Sequence, residues 1–467
     1  MNELLQAGSV ARLSGGRLAA GSPEIAFTGV TTDTRALRPG ECFIALKGPN
    51  FNGHRFLETA VAQGAAGLVV DEEIAPPARP GVAVIRVEDT LYALGELARG
   101  TLAERRLPVL AVTGSTGKTT TKEMLFEVLQ AARPGKVLRN EGNFNNLIGL
   151  PLSVLKIQPE HEVVLLEMGM SLRGEIRRLA EIARPTIGVI TNVSAVHLEH
   201  LKTIGAVAQA KGELLENFGA GHIAVLNADD PRVASMGAGK PFRTIYFSLA
   251  ADGPAEVKAL AVEPKGFEGI AVTMEIAGRR ADVYLATFGR HNVGNALAAA
   301  AAGHAFGVPL EAIVRGLEQF RPPAMRSRVL NIFGITVIDD CYNANPRSMD
   351  AALAALDELA GEGRKIAVLG DMFELGPEAE AAHRRLGRHA AKIGLDRLFL
   401  LGEMSPLVAA GAREEKMDPQ RIVLAGDHAA IVDELRRTGR RGDVILVKGS
   451  RGMRMERVVR GLKGEAL

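Results

Sequence analysis

The sequence predicts an α/β protein of three domains. A central domain is built on a doubly wound, mostly parallel sheet, with a small α/β domain before it and another α/β domain after it. Three observations carry this expectation. Short apolar runs alternate with amphipathic helical stretches along nearly the whole chain, the pattern of strands buried on both faces and covered by helices. One such run ends in a glycine-bearing turn that opens a helix, PVLAVTGSTGKTTT at 108–121. The 467 residues also exceed what one ordinary core organises.

Residues 1–104 carry the apolar runs CFIAL (42–46), GLVV (67–70) and AVIRV (83–87), with the helix-like piece HRFLETAVAQGA between them. Pro76, Pro77 and Pro80 mark a loop. In residues 105–322 the runs VLAVTG, VVLLEMG, IGVITNV and HIAVLNADD alternate with helical periodicity such as EMLFEVL and EIRRLAEI. Ligands on such sheets sit at the carboxyl ends of strands. Thr113, Glu167, Asn192 and Asn227 all fall at such ends. Residues 255–287 read as an antiparallel excursion, and the Ala-rich run Ala296 to Ala302 reads as a buried helix. Arg321-Pro322-Pro323 resists helix and sheet and marks a hinge. Beyond it, residues 323–467 repeat the alternation in TVIDD, KIAVLGDM, RLFLLGE, RIVLAGD and DVILVKGS, a Rossmann-like third domain.

Composition excludes several classes. The 56 basic and 54 acidic residues leave a net charge of +2, which gives no reason to expect nucleic acid as a partner. Cys42 and Cys341 stand far apart, so no disulfide framework or zinc cluster is suggested. The N-terminus lacks the charged and apolar regions of a signal peptide, and no stretch approaches the roughly 18 apolar residues that span a bilayer. A cytoplasmic, monomeric enzyme without an integral membrane segment is the expectation.

The chemistry starts at the turn. Glycines let backbone N–H groups close around phosphate oxygens, and a helix N-terminus favours negative charge. Gly114, Ser115, Thr116, Gly117, Lys118, Thr119 and Thr120 form this candidate P-loop. Lys118 is placed for the β- and γ-phosphates and the Thr119 hydroxyl for Mg²⁺. The general Walker pattern wants glycine where Val112 stands, so T-G-x-x-G-K-T is a narrower variant. Glu167, after a buried strand, either ligates Mg²⁺ or caps the next helix. His197 in a loop and Lys211 on a helix read individually as ordinary surface residues or as parts of a site.

Taken together, TGSTGKTT, NEGNFNNLIGLP, EMGMSLRGEI, TNVSAVHLEHL, AQAKGELL, FGRHNVGNALAAAA, IDDCYNANPRSM, LGDMFELG and LVKGSRGMRME resemble, in order and spacing, the Mur ligase superfamily of ATP-dependent amide-forming enzymes. The N-terminal TTDTRALRPGECFIALKG resembles that group's uridine-nucleotide domain. The resemblance implies a first domain that binds a UDP-muramoyl substrate, a central one that holds ATP, and a third that brings an acceptor dipeptide. It implies ligation of D-alanyl-D-alanine to UDP-N-acetylmuramoyl-tripeptide through an acyl phosphate, a step of peptidoglycan synthesis and so of cell-wall biogenesis, cell shape and division. The alternatives are a sister ligase adding one amino acid, a folylpolyglutamate-type enzyme, which lacks a dedicated uridine domain, or a P-loop nucleotide switch, for which the N-K-x-D pattern is absent.

By the same resemblance, Lys118 contacts ATP phosphates, and Thr119, Glu167 and His197 serve magnesium ions. Lys211 matches the lysine that reacts with CO₂ to form a carbamate. Asn292 and Asn295 match the adenine-side asparagines, and Arg326 (or Arg328, two positions on) the arginine that reaches the γ-phosphate. Asp340 matches the ribose acid, and Tyr342 packs on adenine. Thr32, Asp33, Thr34, Arg35, Lys47 and Gly48 are the uridine-diphosphate candidates. Asn145, Asn146, Asn343, Asn345, Lys448, Ser450 and Arg451 are further substrate-binding candidates. Two positions depart from the family's habit: Cys341 stands where serine is usual, and Asn52 where aspartate is frequent.

Overall fold

A computed structural model describes residues 5–75, 77, 79–361 and 363–466. Of the three prolines expected in a loop, Pro77 and Pro80 lie outside helix and strand, and Pro76 lies outside the described residues. The chain divides into two compact units, Met1–Val112 with Arg133–Met170 and Gly174–Gly188, and Thr113–Ala132 with Ser171–Arg173 and Val189–Leu467.

The first unit opens with a five-stranded sheet in the order Arg17–Ala20, Ala83–Arg86, Gly67–Val70, Cys42–Ile44, Val30–Thr31. Its first pairing is antiparallel and the other three are parallel. The apolar runs at 42–46, 67–70 and 83–87 are these central strands, and Phe43, Leu68, Val70 and Val84 share one core. HRFLETAVAQGA splits into a 3₁₀ turn, Gly53–Phe56, and a helix, Leu57–Ala62, that stops just before Gly64 at φ 96°. Helix Thr90–Arg105 follows, capped by the Asp89 carboxylate accepting from Tyr92 N at 2.7 Å. In the same unit Val163–Glu167 pairs in parallel with Val109–Val112 on one side and Val137–Arg139 on the other.

The second unit holds the strands Ile223–Asn227, Arg243–Ser248 and Val257–Pro264, paired in parallel, and then the antiparallel strands Ile270–Ile276 and Arg279–Leu285. The expected excursion at 255–287 is these last three strands. Helix Lys118–Ala132 begins directly after the phosphate loop. It packs against Arg290–Ala305 and Leu310–Gln319. Ala296 to Ala302 are buried in the former. Two glycines permit the close approach: a Cβ at Gly303 would lie 2.7 Å from Val128 Cγ1, and one at Gly316 2.4 Å from Val128 Cα.

Residues 321–327, with the proline pair, are without helix or strand. A six-stranded sheet follows, ordered Arg328–Ile332, Ile335–Asp339, Val444–Lys448, Lys365–Gly370, Arg397–Leu401, Ile422–Leu424. All its pairings after the first hairpin are parallel. Successive residues alternate between faces. Val337, Ile366, Val368, Ile445 and Val447 fill one core, while Ile338, Ala367, Leu369, Val444 and Leu446 fill the other. Burial on both sides explains why these strands read as continuous apolar runs. No helix among the described residues is long and apolar enough to cross a membrane. Cys42 and Cys341 are buried free thiols.

Candidate active site

The phosphate loop is braced by its own neighbours. Gly114 at φ 150° and Gly117 at φ 78° adopt backbone shapes that L side chains rarely enter. A Cβ at Gly114 would lie 1.9 Å from Thr191 Oγ1, and one at Gly117 2.2 Å from Asn295 Oδ1. The neighbouring strand end supplies the brace. Asn192 Oδ1 accepts from Thr116 N at 3.1 Å and from Thr116 Oγ1 at 3.0 Å. Asn192 Nδ2 and Thr191 Oγ1 both donate to Thr116 O, at 3.0 and 2.6 Å. Ser115 N donates to Asn192 O at 2.9 Å, and Ser115 Oγ accepts from Ser194 N at 2.9 Å. Asn227 continues the row by donating to Thr191 O at 2.8 Å. Of the strand-end residues singled out in the sequence, Thr113, Asn192 and Asn227 are therefore gathered here.

Lys118 Nζ donates back to Gly114 O at 2.9 Å, so its ammonium lies over the loop. Thr119 is buried in the first helical turn and Thr120 half-buried. Asn295 and Asn292 form a chain beneath the loop: Thr121 Oγ1 donates to Asn295 Oδ1 at 3.3 Å, Asn295 Nδ2 to Asn292 Oδ1 at 3.0 Å, and Asn292 Nδ2 to Phe288 O at 2.8 Å. Both amides are buried and serve to lock the loop's helix onto helix 290–305.

Lys211 is 1% exposed near the end of helix Ile204–Gly212. No carboxylate pairs with it among the described residues. Burial, reinforced by the like charge of Lys118, pushes its amine well below the ordinary lysine range. His197, left-handed at φ 56°, caps the short helix Leu198–Leu201. Its Nδ1 meets Glu374 Oε2 at 2.5 Å. That hydrogen bond holds the Glu374 carboxyl below its usual range.

Around the six-stranded sheet, Arg326 stacks on Tyr342 with 3.9 Å from guanidinium carbon to ring centroid, and Arg451 stands 5.9 Å from the same ring. Arg328 begins the first strand and is exposed. Lys448 is 3% exposed. Its ammonium binds Asp340 Oδ2 at 2.5 Å, Asn343 O at 3.0 Å and Asp340 O at 3.3 Å. Asp340 Oδ1 also accepts from Ser327 N at 2.9 Å. Asn345 caps helix Pro346–Ala360 in a reciprocal pair with Ser348, and Asn343 Oδ1 accepts from Ala344 N. Ser450 Oγ accepts from Phe373 N at 2.9 Å. Cys341 Sγ lies 2.5 Å from Asp339 Oδ1, and burial pushes the thiol up.

In the first unit Glu167 is 2% exposed at its strand end. Asn145 Nδ2 donates to its Oε1 at 2.7 Å, and Asn140 pairs with its backbone in both directions at 2.8 and 2.9 Å. Asn146 Oδ1 accepts from Gly149 N at 2.8 Å at the start of helix Gly149–Val154. Asn140 opens the NEGNFNNLIGLP block, but no role was assigned to it from the sequence. Farther along the unit, Asp33 caps the turn Thr34–Ala36 and takes Arg35 in a fork at 2.7 and 2.9 Å. The Arg35 hydrogen bonds lower the Asp33 carboxyl. Thr32 and Thr34 flank it, both half-buried. Lys47 bridges Asp71 and Glu72 at 2.8 Å each. Asn52 Oδ1 accepts from His54 N at 2.9 Å, fixing His54 beside Asp71. Gly48 has open space around it, whereas a Cβ at Gly53 would lie 2.8 Å from the Leu46 backbone. Gly53 and His54 were not foreseen.

Three family models match the chain in succession. Residues 26–101 match the Mur ligase family catalytic domain, 112–303 the Mur ligase middle domain, and 325–451 the Mur ligase glutamate ligase domain. The chain is 36% identical over 435 residues to the UDP-N-acetylmuramoyl-tripeptide–D-alanyl-D-alanine ligase of Bacillus subtilis (strain 168), covering 93% of each. A MurF crystal structure from Acinetobacter baumannii is similar at TM-score 0.89 and 30% identity, over 98% of this chain and 99% of that one. The MurF ligase of Thermotoga maritima, solved with ADP, is similar at TM-score 0.82 and 28% identity, over 94% and 97%. The chain belongs to the Mur ligase family.

Proposed function

We propose that this chain is an ATP-dependent ligase that joins D-alanyl-D-alanine to UDP-N-acetylmuramoyl-tripeptide, releasing ADP and phosphate. The observation that carries the reading is a braced phosphate loop in a chain that matches, almost end to end, a relative named for that reaction. A peptide carboxylate is a poor electrophile. Its oxygen therefore attacks the γ-phosphorus of ATP, the bond to ADP breaks, and an acyl phosphate forms. The amine of D-alanyl-D-alanine then adds to the acyl carbon, and phosphate leaves as the amide forms.

Each residue's part follows from its chemistry. With Ser115 N and Thr116 N committed to Asn192, the loop 114–120 is held in a fixed shape, so little ordering is needed when phosphates meet the start of its helix. Lys118 exchanges Gly114 O for a phosphate oxygen, and Arg326 exchanges the Tyr342 ring for the γ-phosphate. The Thr119 hydroxyl and Glu167 carboxylate are hard oxygen donors of the kind Mg²⁺ takes, and His197 adds a nitrogen. Bound magnesium supplies neutralisation of phosphate charge. Lys211 is suited to CO₂ because burial and the nearby Lys118 charge disfavour its ammonium form: the neutral amine nitrogen bonds to carbon, one N–H proton leaves, and a carbamate anion takes the place of the amine. Asp340 and Tyr342 serve the nucleoside, Asn343, Asn345, Ser450 and Arg451 the dipeptide side, and Lys448 holds the Asp340 segment in shape. Thr32, Asp33, Thr34, Arg35, Lys47 and Gly48 take the uridine diphosphate, with Asn145 and Asn146 nearer the peptide. Residues 1–104, 105–322 and 323–467 divide the work as handle, nucleotide and acceptor. Handle binding far from the reacting carboxylate orients it without altering the chemistry.

The test is ADP release measured with each substrate omitted in turn. Turnover is expected only with ATP, the UDP-muramoyl-tripeptide and D-alanyl-D-alanine together. Equal turnover when a single amino acid replaces the dipeptide overturns the reading.

A further inference from the structure

We propose that Glu374 is a positioning residue for His197: by accepting a hydrogen bond from Nδ1–H it fixes the imidazole tautomer that leaves the Nε2 lone pair open for a metal ion. The inference rests on the reading of His197 as a magnesium ligand. In a neutral imidazole one nitrogen donates and the other accepts, and the partner of one sets the role of its twin. Here Nδ1 has the Glu374 carboxylate at 2.5 Å, while Nε2 has no hydrogen-bond partner among the described residues. A carboxylate behind a metal-ligating histidine is the usual way to orient the ring and raise its basicity.

The contact is built rather than incidental. His197 and Glu374 both occupy left-handed backbone, at φ 56° and 61°, which non-glycine residues seldom adopt. Glu199 N donates to Glu374 O at 3.3 Å. Gly376, at φ 54°, lets the two segments close, because a Cβ there would stand 3.1 Å from Glu199 Cα and N. The loop that carries Glu374 is itself anchored. Met372 N donates to Nε2 of the fully buried His383 at 2.9 Å, so His383 Nδ1 donates to Ala379 O at 2.7 Å. Phe373 N is held by Ser450 Oγ. A ligand ring held this firmly keeps its aim when the metal arrives. The GDMFELG segment, which the sequence offered without a role for its glutamate, thus reaches the histidine from 177 residues away.

Long-range ¹H–¹⁵N correlation spectra of the full-length protein at pH 8, without magnesium, test this, with the His197 signals assigned by their loss in His197→Gln. The wild type is expected to show Nδ1 protonated and Nε2 bare. Glu374→Gln, whose amide oxygen still accepts, keeps that tautomer, whereas Glu374→Ala acquires an Nε2–H population. Magnesium titration followed at Nε2 is expected to need about 10–100-fold more metal in Glu374→Ala than in wild type, with Glu374→Gln close to wild type. A protonated Nε2 in the wild type, or an alanine variant with unchanged tautomer and magnesium response, overturns the proposal. ADP release by the wild type tests the ligase reading separately. An active wild-type ligase whose Nε2 ignores magnesium removes His197 from the metal and the proposal with it.

Discussion

Lys211 and Lys448 are both buried lysines at motif positions, the one expected to form a carbamate and the other to bind substrate, and their surroundings are opposite. Lys448 is saturated: a carboxylate and two carbonyls take its ammonium. Lys211 has no acid beside it among the described residues, and the charge that acts on it is another cation, Lys118. Charging a buried amine that has no anion beside it is costly, and this holds Lys211 below the ordinary lysine range. On the function proposed above, the difference separates a lysine that holds the fold from one whose reactivity is used.

The largest effect that sharpens this contrast is expected from Lys211→Met. Ligase turnover should fall by at least about 10²–10³-fold, the usual loss when one preorganised electrostatic group is removed. Chemical unfolding should show stability equal to or above wild type. A variant that stays active but unfolds more easily would reverse the assignment. Lys448→Met should behave in the opposite way, lowering stability by about 1–3 kcal/mol because the half-buried Asp340 loses its charged partner. Pairing it with Asp340→Asn should recover part of that loss, read as a coupling in a double-mutant cycle. The smallest effect is a pH slope. With the Lys211 amine lowered in the folded state, the unfolded chain binds more protons between that lowered value and the ordinary lysine value. Stability in CO₂-free buffer should therefore rise with pH across that window and flatten near about pH 10.4. Lys211→Met should lack this component, and a slope unchanged in the variant would assign it elsewhere.

What the sequence disclosed follows the range of each interaction. Strand Val109–Thr113, the turn and helix Lys118–Ala132 were legible because the pattern is local. So was the antiparallel excursion, where β-alternation and turn glycines lie within one short stretch. Asn345 was half-legible: Asn-Pro-x-Ser is a helix start in the sequence as much as a ligand motif. The partners of Lys448 were not legible, since Asp340 stands 108 residues away. The same holds for Asn192, which braces Thr116 across 76 residues, and for Asn140 and Asn145, which hold Glu167 across 27 and 22. Such contacts exist only once the sheet has set its register. The environment of Lys211 belongs to the same class, because a helical lysine before a glycine looks solvated until its neighbours are in place.

The two glycines beneath the phosphate loop's helix have a mechanical consequence. Gly303 and Gly316 bring two helices onto Val128 with no room for a methyl group. Helix Lys118–Ala132 is thus seated like a dowel in a drilled hole. A helix moves nearly as a rod, so any displacement at Val128 reappears at Lys118, ten residues earlier in the chain. Small changes of volume far from the nucleotide thereby become changes of aim at its phosphates, and the tolerance of this machine is set at its back wall.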